Sequence, residues 1–584
     1  MIKLEVNGIA VEVPEGTTIL KAAEQVGVKV PRLCYHEDCK PWGACGICVV
    51  KVAGSPKMMR ACATPCSEGM QVKTHDTEIY DVRRTVLQLI LSRHPNDCLQ
   101  CARNGNCELQ TLAEEFGIRE FDFPKRLSEL PIDDSTPSIE VNPVKCISCG
   151  RCVAVCQQMQ GVWALEFLGR GDEMRIAPAA DVKLNDSPCI KCGQCSAHCP
   201  VGAIYEKSDA RLVHAALADE EKYCVVQIAP AVRVAIGEAF GYESGELLTG
   251  KLYAALRRLG FKAVFDTNFS ADLTIMEEGS EFIQRMGGDG PLPLITSCCP
   301  AWTDYMEKFA PDFVPNFSTA KSPQQMMGAV AKTYYAESIG VKPENIYMVS
   351  IMPCTAKKYE ITRTDDMFST GYKDVDVVLT TRELSRMIKS AGVDFRNLPD
   401  EEADTILGTY AGAGTLFGVT GGVMEAALRT AVTLMTGKKL PKVEFEDVRG
   451  LEGVKEATLD VAGKEVRIAV AHTMSNIEQV LDKIRAAREK GEDTPYHFVE
   501  VMACRGGCIG GGGQPHGATD EIRAKRMAGI YKDDEKSVVR CSHENPEIQR
   551  IYKDFLGEPL SEKAHKYLHT HYKARPIYKL PQDA

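Results

Sequence analysis

Residues 189–200 read CIKCGQCSAHCP, a C-x2-C-x2-C-x3-C-P run. That spacing holds iron–sulfur cubanes in bacterial electron carriers, where three cysteines ligate one cluster and the fourth reaches across to a second. A partner run stands upstream, CISCGRCVAVC at 146–156, with Gln157 in place of the proline. Paired in this way, Cys146, Cys149, Cys152 and Cys199 hold one [4Fe–4S] cluster, and Cys189, Cys192, Cys195 and Cys156 hold the other. Two zinc knuckles are a poor alternative, because structural zinc takes cysteines in two pairs rather than in triplets followed by a fourth cysteine and proline. The two runs are the one internal repeat in evidence, and they define a two-cluster ferredoxin module over 138–208.

On the N-terminal side the cysteines continue. The stretch 1–78 alternates as strands over 2–6 and 9–13, turns at Pro14–Gly16 and continues as a helix from Thr18 to Val26, ended by Gly27. Cys34, Cys45, Cys48 and Cys62 lie on this β-rich frame and fit a [2Fe–2S] site on a β-grasp fold, with Cys39 and Cys66 left over as non-ligands. The first gap has ten residues, against the four of plant-type carriers. Next comes a short module over 79–125, with a helix over 80–92 and the run HPNDCLQCARNGNC. Its His94, Cys98, Cys101 and Cys107 suit a [4Fe–4S] cluster with one imidazole ligand; a Cys3His zinc site is the alternative, and the neighbouring iron–sulfur patterns favour iron. A charged, proline-containing connector spans 126–137.

After residue 209 cysteine becomes sparse. Strand-like runs (VVQIAPAV, YMVSIMPC, VDVVLTT, VRIAVAH, YHFVEVMAC) alternate with helical ones, the pattern of an α/β domain with a largely parallel sheet over 209–584. The fold class expected is therefore multidomain α+β, with three iron–sulfur modules ahead of an α/β catalytic domain. That domain holds five cysteines in three segments: TSCCPAW at 296–302, MPCTAKKYE at 352–360 and MACRGGCIGGGGQP at 502–515. Cys299 and Cys354 stand beside prolines at expected strand ends, the edge where α/β domains build sites. Cys504 and Cys508 flank Arg-Gly-Gly and precede four glycines, a composition that allows backbone to approach a bulky ligand.

The bulk properties narrow the setting. With 584 residues, 44% of them apolar and 26% charged, the chain is an ordinary globular one of several domains. A net charge of −11 argues against nucleic acid as a partner. No signal-like N-terminus and no membrane-spanning apolar run is seen, so a cytoplasmic location is expected. Thiols stay reduced there, and clustered cysteines mean metal. No G-x-G-x-x-G strand–helix unit occurs, so no nicotinamide site is expected on this chain.

Residues 1–208 resemble the accessory region shared by the larger [FeFe]-hydrogenases and the iron–sulfur subunit of respiratory complex I. The three cysteine-bearing segments resemble the signature motifs of [FeFe]-hydrogenases, and the likeness covers essentially the whole chain, most closely the catalytic subunits of NAD(P)-linked, multimeric enzymes. The resemblance implies an H-cluster, a [4Fe–4S] cubane joined to a two-iron unit bearing carbon monoxide, cyanide and a bridging azadithiolate. Cys299, Cys354, Cys504 and Cys508 are then the cubane ligands, with Cys508 the bridge. It further implies Cys298 as the thiol that hands protons to the bridging amine, and Glu281, Ser318 and Glu278 as a relay from there to the surface. Lys357 is placed at a cyanide, with Pro230, Gln324, Met352 and Met502 as further contacts. Ala231 is counted with these contacts, at a position where many relatives have a serine whose hydroxyl can meet a cyanide and where a backbone amide could serve instead.

Protons and H2, ferredoxin, flavin- and NAD(P)-binding partner subunits, and maturation proteins are the partners implied. A monomeric ferredoxin-linked hydrogenase, or a non-catalytic electron-transfer or assembly protein, are the alternatives; the presence of Cys298 and Cys508 favours catalysis. The tail at 542–572 resembles the segment that wraps the catalytic domain, and His565, His569 and His571 in it are read as surface and packing residues.

Overall fold

The computed structural model describes residues 1–120, 122–438, 442–461 and 463–579. It packs as two units, residues 1–187 with 198–205, and residues 188–197 with 206–584.

The first unit opens with a five-stranded sheet in the order Ile9–Val13, Ile2–Val6, Gln71–Lys73, Val49–Val52, Met59–Arg60, with one parallel pairing between Ile2–Val6 and Gln71–Lys73. This is the β-grasp arrangement expected. Its helix runs Ile19–Gln25: Thr18 stays outside as the cap, its hydroxyl accepting from Lys21 N at 3.4 Å, and Gly27 takes φ +74° beyond the end. Ile19, Leu20 and Ala23 then pack with Val6, Val13 and Val50. The next helix is longer than expected, Thr77–Ser92, because Asp76 caps Ile79 N at 2.8 Å and adds three residues.

The second unit contains two four-stranded sheets rather than one. The first has the order Ala263–Asp266, Tyr223–Ile228, Ile346–Met352, Val377–Thr380, all parallel. In the second, Leu294–Ile295, Phe498–Met502 and Lys464–His472 are parallel and Val454–Val461 pairs antiparallel at the edge. The central strand Phe498–Met502 is buried at every residue, as a parallel strand covered on both faces must be. The 20-residue helix Thr267–Met286 serves both cores: Phe269 and Leu273 belong to the core of the first sheet, Ala271, Ile275 and Phe282 to that of the second.

The module boundary expected at 208 differs from the packing. The first part of CIKCGQCSAHCP belongs with the second unit, because its polar side chains are bound there: Lys191 Nζ lies 2.9 Å from Asp304, Gln194 Nε2 donates to Gly510 O at 3.0 Å, and Arg382 reaches Ser196 Oγ at 3.4 Å.

Candidate active site

The strands Tyr223–Ile228, Leu294–Ile295, Ile346–Met352 and Phe498–Met502 end around one cavity of about 80 Å³. All five cysteines of the three segments line it, together with Pro230, Gln324, Met352, Lys357 and Met502. Segments 200 residues apart in the chain meet because parallel strands deliver their C-terminal ends to a shared edge.

Each segment is held by its own polar residues. In TSCCPAW, Thr296 Oγ1 accepts from Val501 N at 3.1 Å, Ser297 Oγ donates to Ala320 O at 2.8 Å, and Trp302 Nε1 donates to Thr296 O at 3.1 Å. Cys299 precedes the helix Pro300–Phe309, with Pro300 at its first position, where a missing N–H costs nothing. In MPCTAKKYE, Lys357 Nζ bonds Glu360 Oε2 at 2.9 Å and Cys298 O at 3.1 Å. Glu360 also accepts from Gln324 Nε2 at 3.0 Å, leaving Gln324 Oε1 buried and unpartnered beside the cavity.

The glycine run does a different job from the one expected. A Cβ at Gly511 would sit 2.2 Å from Pro353 O, one at Gly512 2.3 Å from Cys192 O, and one at Gly510 2.2 Å from Arg505 O. These glycines let protein backbone close against protein backbone and so lock the segment; of the four, only Gly511 borders the cavity. Gly507 needs φ +91°, and a Cβ there would meet Thr420 N at 2.6 Å. Arg382 clamps the run from outside, donating to Gly512 O at 2.8 Å and Gln514 O at 2.6 Å.

The walls are chiefly apolar, and burial pushes the thiols up: Cys354 and Cys508 to about 12, Cys298 and Cys504 well above the ordinary value, with neighbouring acids and thiols adding to the effect. Cys354, Cys504 and Cys508 are converted to thiolates only by a strongly positive centre, the demand that metal binding makes.

Behind Cys298 the acids come in the reverse of the order expected. Glu278, fully buried, is the carboxyl whose charge acts on Cys298; burial and then Glu281 push it up to about 8. Glu281 lies farther out, its Oε2 accepting from Ser318 Oγ at 2.8 Å and its Oε1 from Arg285 at 2.6 Å. One-turn spacing places both on one helix face, but tertiary packing decides which is inner. Ala231 is a second correction. It lies outside the cavity lining, its methyl packed in an apolar cluster with Leu416, Ile509 and Ile530, and its carbonyl accepts from Gln514 Nε2 at 2.8 Å.

Several lining residues carried no signal in sequence. Phe417 sits in a Gly/Ala-rich stretch, and Thr267 and Ala271 look like ordinary helix positions. Glu360 was legible in principle, three residues beyond Lys357 on one helical turn.

The first unit holds its own sulfur sets. Cys48 and Cys62 sulfurs are 3.4 Å apart, and Cys34 is within hydrogen-bond reach of Cys45 and Cys62. His94 is buried with Nδ1 accepting from Asn96 N at 3.3 Å, while Nε2 is buried without a partner, as a ligand nitrogen would be. Gly202 makes room for Cys101, whose sulfur a Cβ would meet at 2.3 Å. The repeat recurs in three dimensions: Ser148 and Lys191 both take positive φ and both donate N–H to the preceding cysteine sulfur at 3.4 Å.

Family profiles match in the order of these modules: a 2Fe-2S iron-sulfur cluster binding domain over 1–77, the NADH-ubiquinone oxidoreductase-G iron-sulfur binding region over 83–121, and a 4Fe-4S dicluster domain over 145–203. The iron only hydrogenase large subunit, C-terminal domain, matches 222–512, and the iron hydrogenase small subunit matches 520–575. The NADP-reducing hydrogenase subunit HndD of Solidesulfovibrio fructosivorans is 48% identical over 98% of this chain and 99% of its own. This chain belongs to the [FeFe]-hydrogenase family. Iron hydrogenase 1 of Clostridium pasteurianum is 41% identical over 97% of this chain and 99% of its own. The solved structure of apo [FeFe]-hydrogenase HydA1 from Chlamydomonas reinhardtii is similar with a TM-score of 0.57 at 43% identity, covering 64% of this chain and 100% of that one. The [FeFe]-hydrogenase described here thus joins 2Fe–2S and 4Fe–4S modules to an H-cluster domain, and its reaction is 2H⁺ + 2e⁻ ⇌ H2.

Proposed function

We propose that this hydrogenase is the hydrogen-activating subunit of an NAD(P)-linked, multimeric complex in the cytoplasm. Electrons pass between partner flavoprotein subunits and the H-cluster through one [2Fe–2S] and three [4Fe–4S] clusters. The observation that carries the site assignment is the meeting of five cysteines from three distant segments in one apolar cavity.

Cys299, Cys354, Cys504 and Cys508, which line the cavity, would hold the cubane, and Cys508 would be the thiolate nearest the two-iron unit. When bound, that group supplies the open metal position and basic amine at which H2 is split or assembled. The chain's own residues do the rest. Pro230, Met352, Phe417 and Met502 exclude water. Lys357, pinned by Glu360, presents an ammonium to the anionic ligands. Cys298 keeps its thiol proton at neutral pH because burial disfavours the thiolate, and exchanges it with Glu278; Ser318 and Glu281 continue the relay outward. Cys34, Cys45, Cys48 and Cys62, then His94 with Cys98, Cys101 and Cys107, then the two four-cysteine sets, hold the accessory clusters.

The NAD(P) link is supported by the likeness, over nearly the whole length, to HndD, a subunit of an NADP-reducing hydrogenase. Purification from the native cell tests it: flavin-containing subunits should co-elute and H2 should drive nicotinamide reduction. A single-subunit enzyme that reduces ferredoxin alone would overturn the NAD(P) link and leave the hydrogen chemistry standing.

A further inference from the structure

Around Cys189 the chain buries a set of charges that the hydrogen chemistry leaves unused. Lys191, in the CIKC turn at 189–192, takes φ +61°, a conformation that side chains rarely adopt. Its N–H donates to Cys189 Sγ at 3.4 Å, its Nζ lies 2.9 Å from Asp304 Oδ2, and its ammonium sits 4.5 Å from the centre of the Tyr359 ring. Thr355 Oγ1 holds the turn by donating to Lys191 O at 2.9 Å. From the helix Pro300–Phe309, Lys308 Nζ donates to Cys189 O at 2.8 Å and stands 3.5 Å from the same Asp304 oxygen. Lys191, Asp304 and Lys308 are all buried.

Two carboxylates serve four cations here. The second oxygen of Asp304 is bonded by Arg575, which also donates to Glu307 at 2.7 Å, and Arg363 meets Glu307 at 3.1 Å. The balance is positive. Burial pushes the Cys189 thiol up; Lys191 and then Lys308 work against that, each ahead of Asp304, which adds to it. Burial also pulls Lys308 down, to about 8, so its ammonium is still charged at pH 7. The turn itself does not need the charge. In the upstream run Ser148 fills the matching place, with the same N–H to sulfur bond at 3.4 Å. Buried charges are costly, and one that the fold does not require calls for another use. The run also adjoins the active site, where Gln194 Nε2 donates to Cys504 Sγ at 3.2 Å.

We propose that Lys191 and Lys308 raise the potential of the [4Fe–4S] cluster assigned to Cys189 and its run, so that an electron is kept waiting beside the H-cluster. The inference rests on the cluster assignment given above. Net charge and hydrogen bonds to the sulfurs set the potential of such a cluster, and positive charge favours its reduced form. Forming H2 takes two electrons, and the clusters pass them singly. In each passage this cluster accepts one electron from the chain and gives one to the H-cluster; no proton moves and no bond is made or broken. Neither lysine touches the reacting atoms. Both are positioning residues that act through the cluster, as charge held where salt screens it little.

Redox titration of the complete matured enzyme at pH 7, followed by electron paramagnetic resonance, tests this. Cys192→Asp, which keeps an anionic ligand, should alter one [4Fe–4S] signal and so mark it. Lys308→Gln keeps a donor toward Cys189 O without the charge, and Lys191→Met keeps the length of the side chain. In each, the ratio of reduced to oxidised cluster at a fixed potential should fall by about tenfold, a lowering of about 59 mV for a one-electron couple and the effect expected of one charge inside protein. Lys308→Arg keeps the charge and should stay within about twofold of the parent. Asp304→Asn should move the ratio the other way. A role in packing alone predicts no such dependence on the sign of the charge removed. Parent-like potentials in Lys308→Gln and Lys191→Met, with the marked signal present, would sink the tuning alone. A Cys192→Asp protein with every [4Fe–4S] signal unchanged would sink the cluster assignment beneath it.

Discussion

Cys298 and Cys299 are adjacent, both line the cavity, and are proposed to have different duties. Only packing separates them: Cys299 precedes a helix, while Cys298 faces Glu278. Cys298→Ser puts a much weaker acid at the hand-over point. Turnover should fall by about a hundredfold or more, with the carbon monoxide and cyanide bands retained in the infrared; parent-like turnover would remove Cys298 from the relay. His94 is the second residue whose chemistry can be isolated. Its Nε2 is buried without a hydrogen-bond partner, and on the proposed ligation His94→Cys adds a negative thiolate to the cluster. Redox titration followed by electron paramagnetic resonance should show that cluster's potential lowered; zinc at this site in metal analysis would contradict the assignment. Sulfur ligands are legible in sequence because their spacing is the signal. Glu278 is not: in IMEEGSEFIQR an acidic residue looks solvated, and only the fold reveals that it is buried. Ala231 was misplaced for a related reason, since one residue of rotation past a strand end turns a side chain from cavity to core.

At the level of elements, the four-glycine run and the helix Thr267–Met286 set the geometry. Gly511→Ala drives a methyl into Pro353 O, which is backbone and cannot step aside. The cavity should deform, and the matured protein should lose its bound diatomic ligands while the accessory clusters still give their resonance signals; full retention would show the closure to be looser than the contacts imply. The helix also carries a pH signature. Burial holds Glu278 protonated up to about 8, and Asp272 and the facing strand's Glu500 are raised to about 7. The native protein keeps protons that the unfolded chain releases near the ordinary carboxyl value of about 4.3. Stability therefore falls as pH rises from there to about 8 and levels off above it. Glu278→Gln should flatten this slope in denaturant titrations across that window; an unchanged slope would place the proton elsewhere. Strands bearing long apolar runs were legible from their sequence. Leu294–Ile295 was not, because two residues make no pattern, and the division into two sheets depends on pairings among strands far apart in the chain.

Across the whole molecule, accessory modules precede a domain that is built around a metal-sized cavity, and the family profiles follow the same order. The modules were readable one by one from cysteine spacing. The course of packing was not: CIKCGQCSAHCP looks like a single cassette, yet Lys191, Gln194 and Ser196 tie its first part to the second unit. The central claim is that four thiolates from three segments hold an organometallic centre beside one protonated thiol. Infrared spectroscopy of protein matured with its dedicated assembly partners tests this most directly. Bands of iron-bound carbon monoxide and cyanide should be present in the parent and absent in Cys508→Ala, with the accessory cluster signals unchanged in both. A matured parent without such bands, or a Cys508→Ala protein that keeps them, would contradict it.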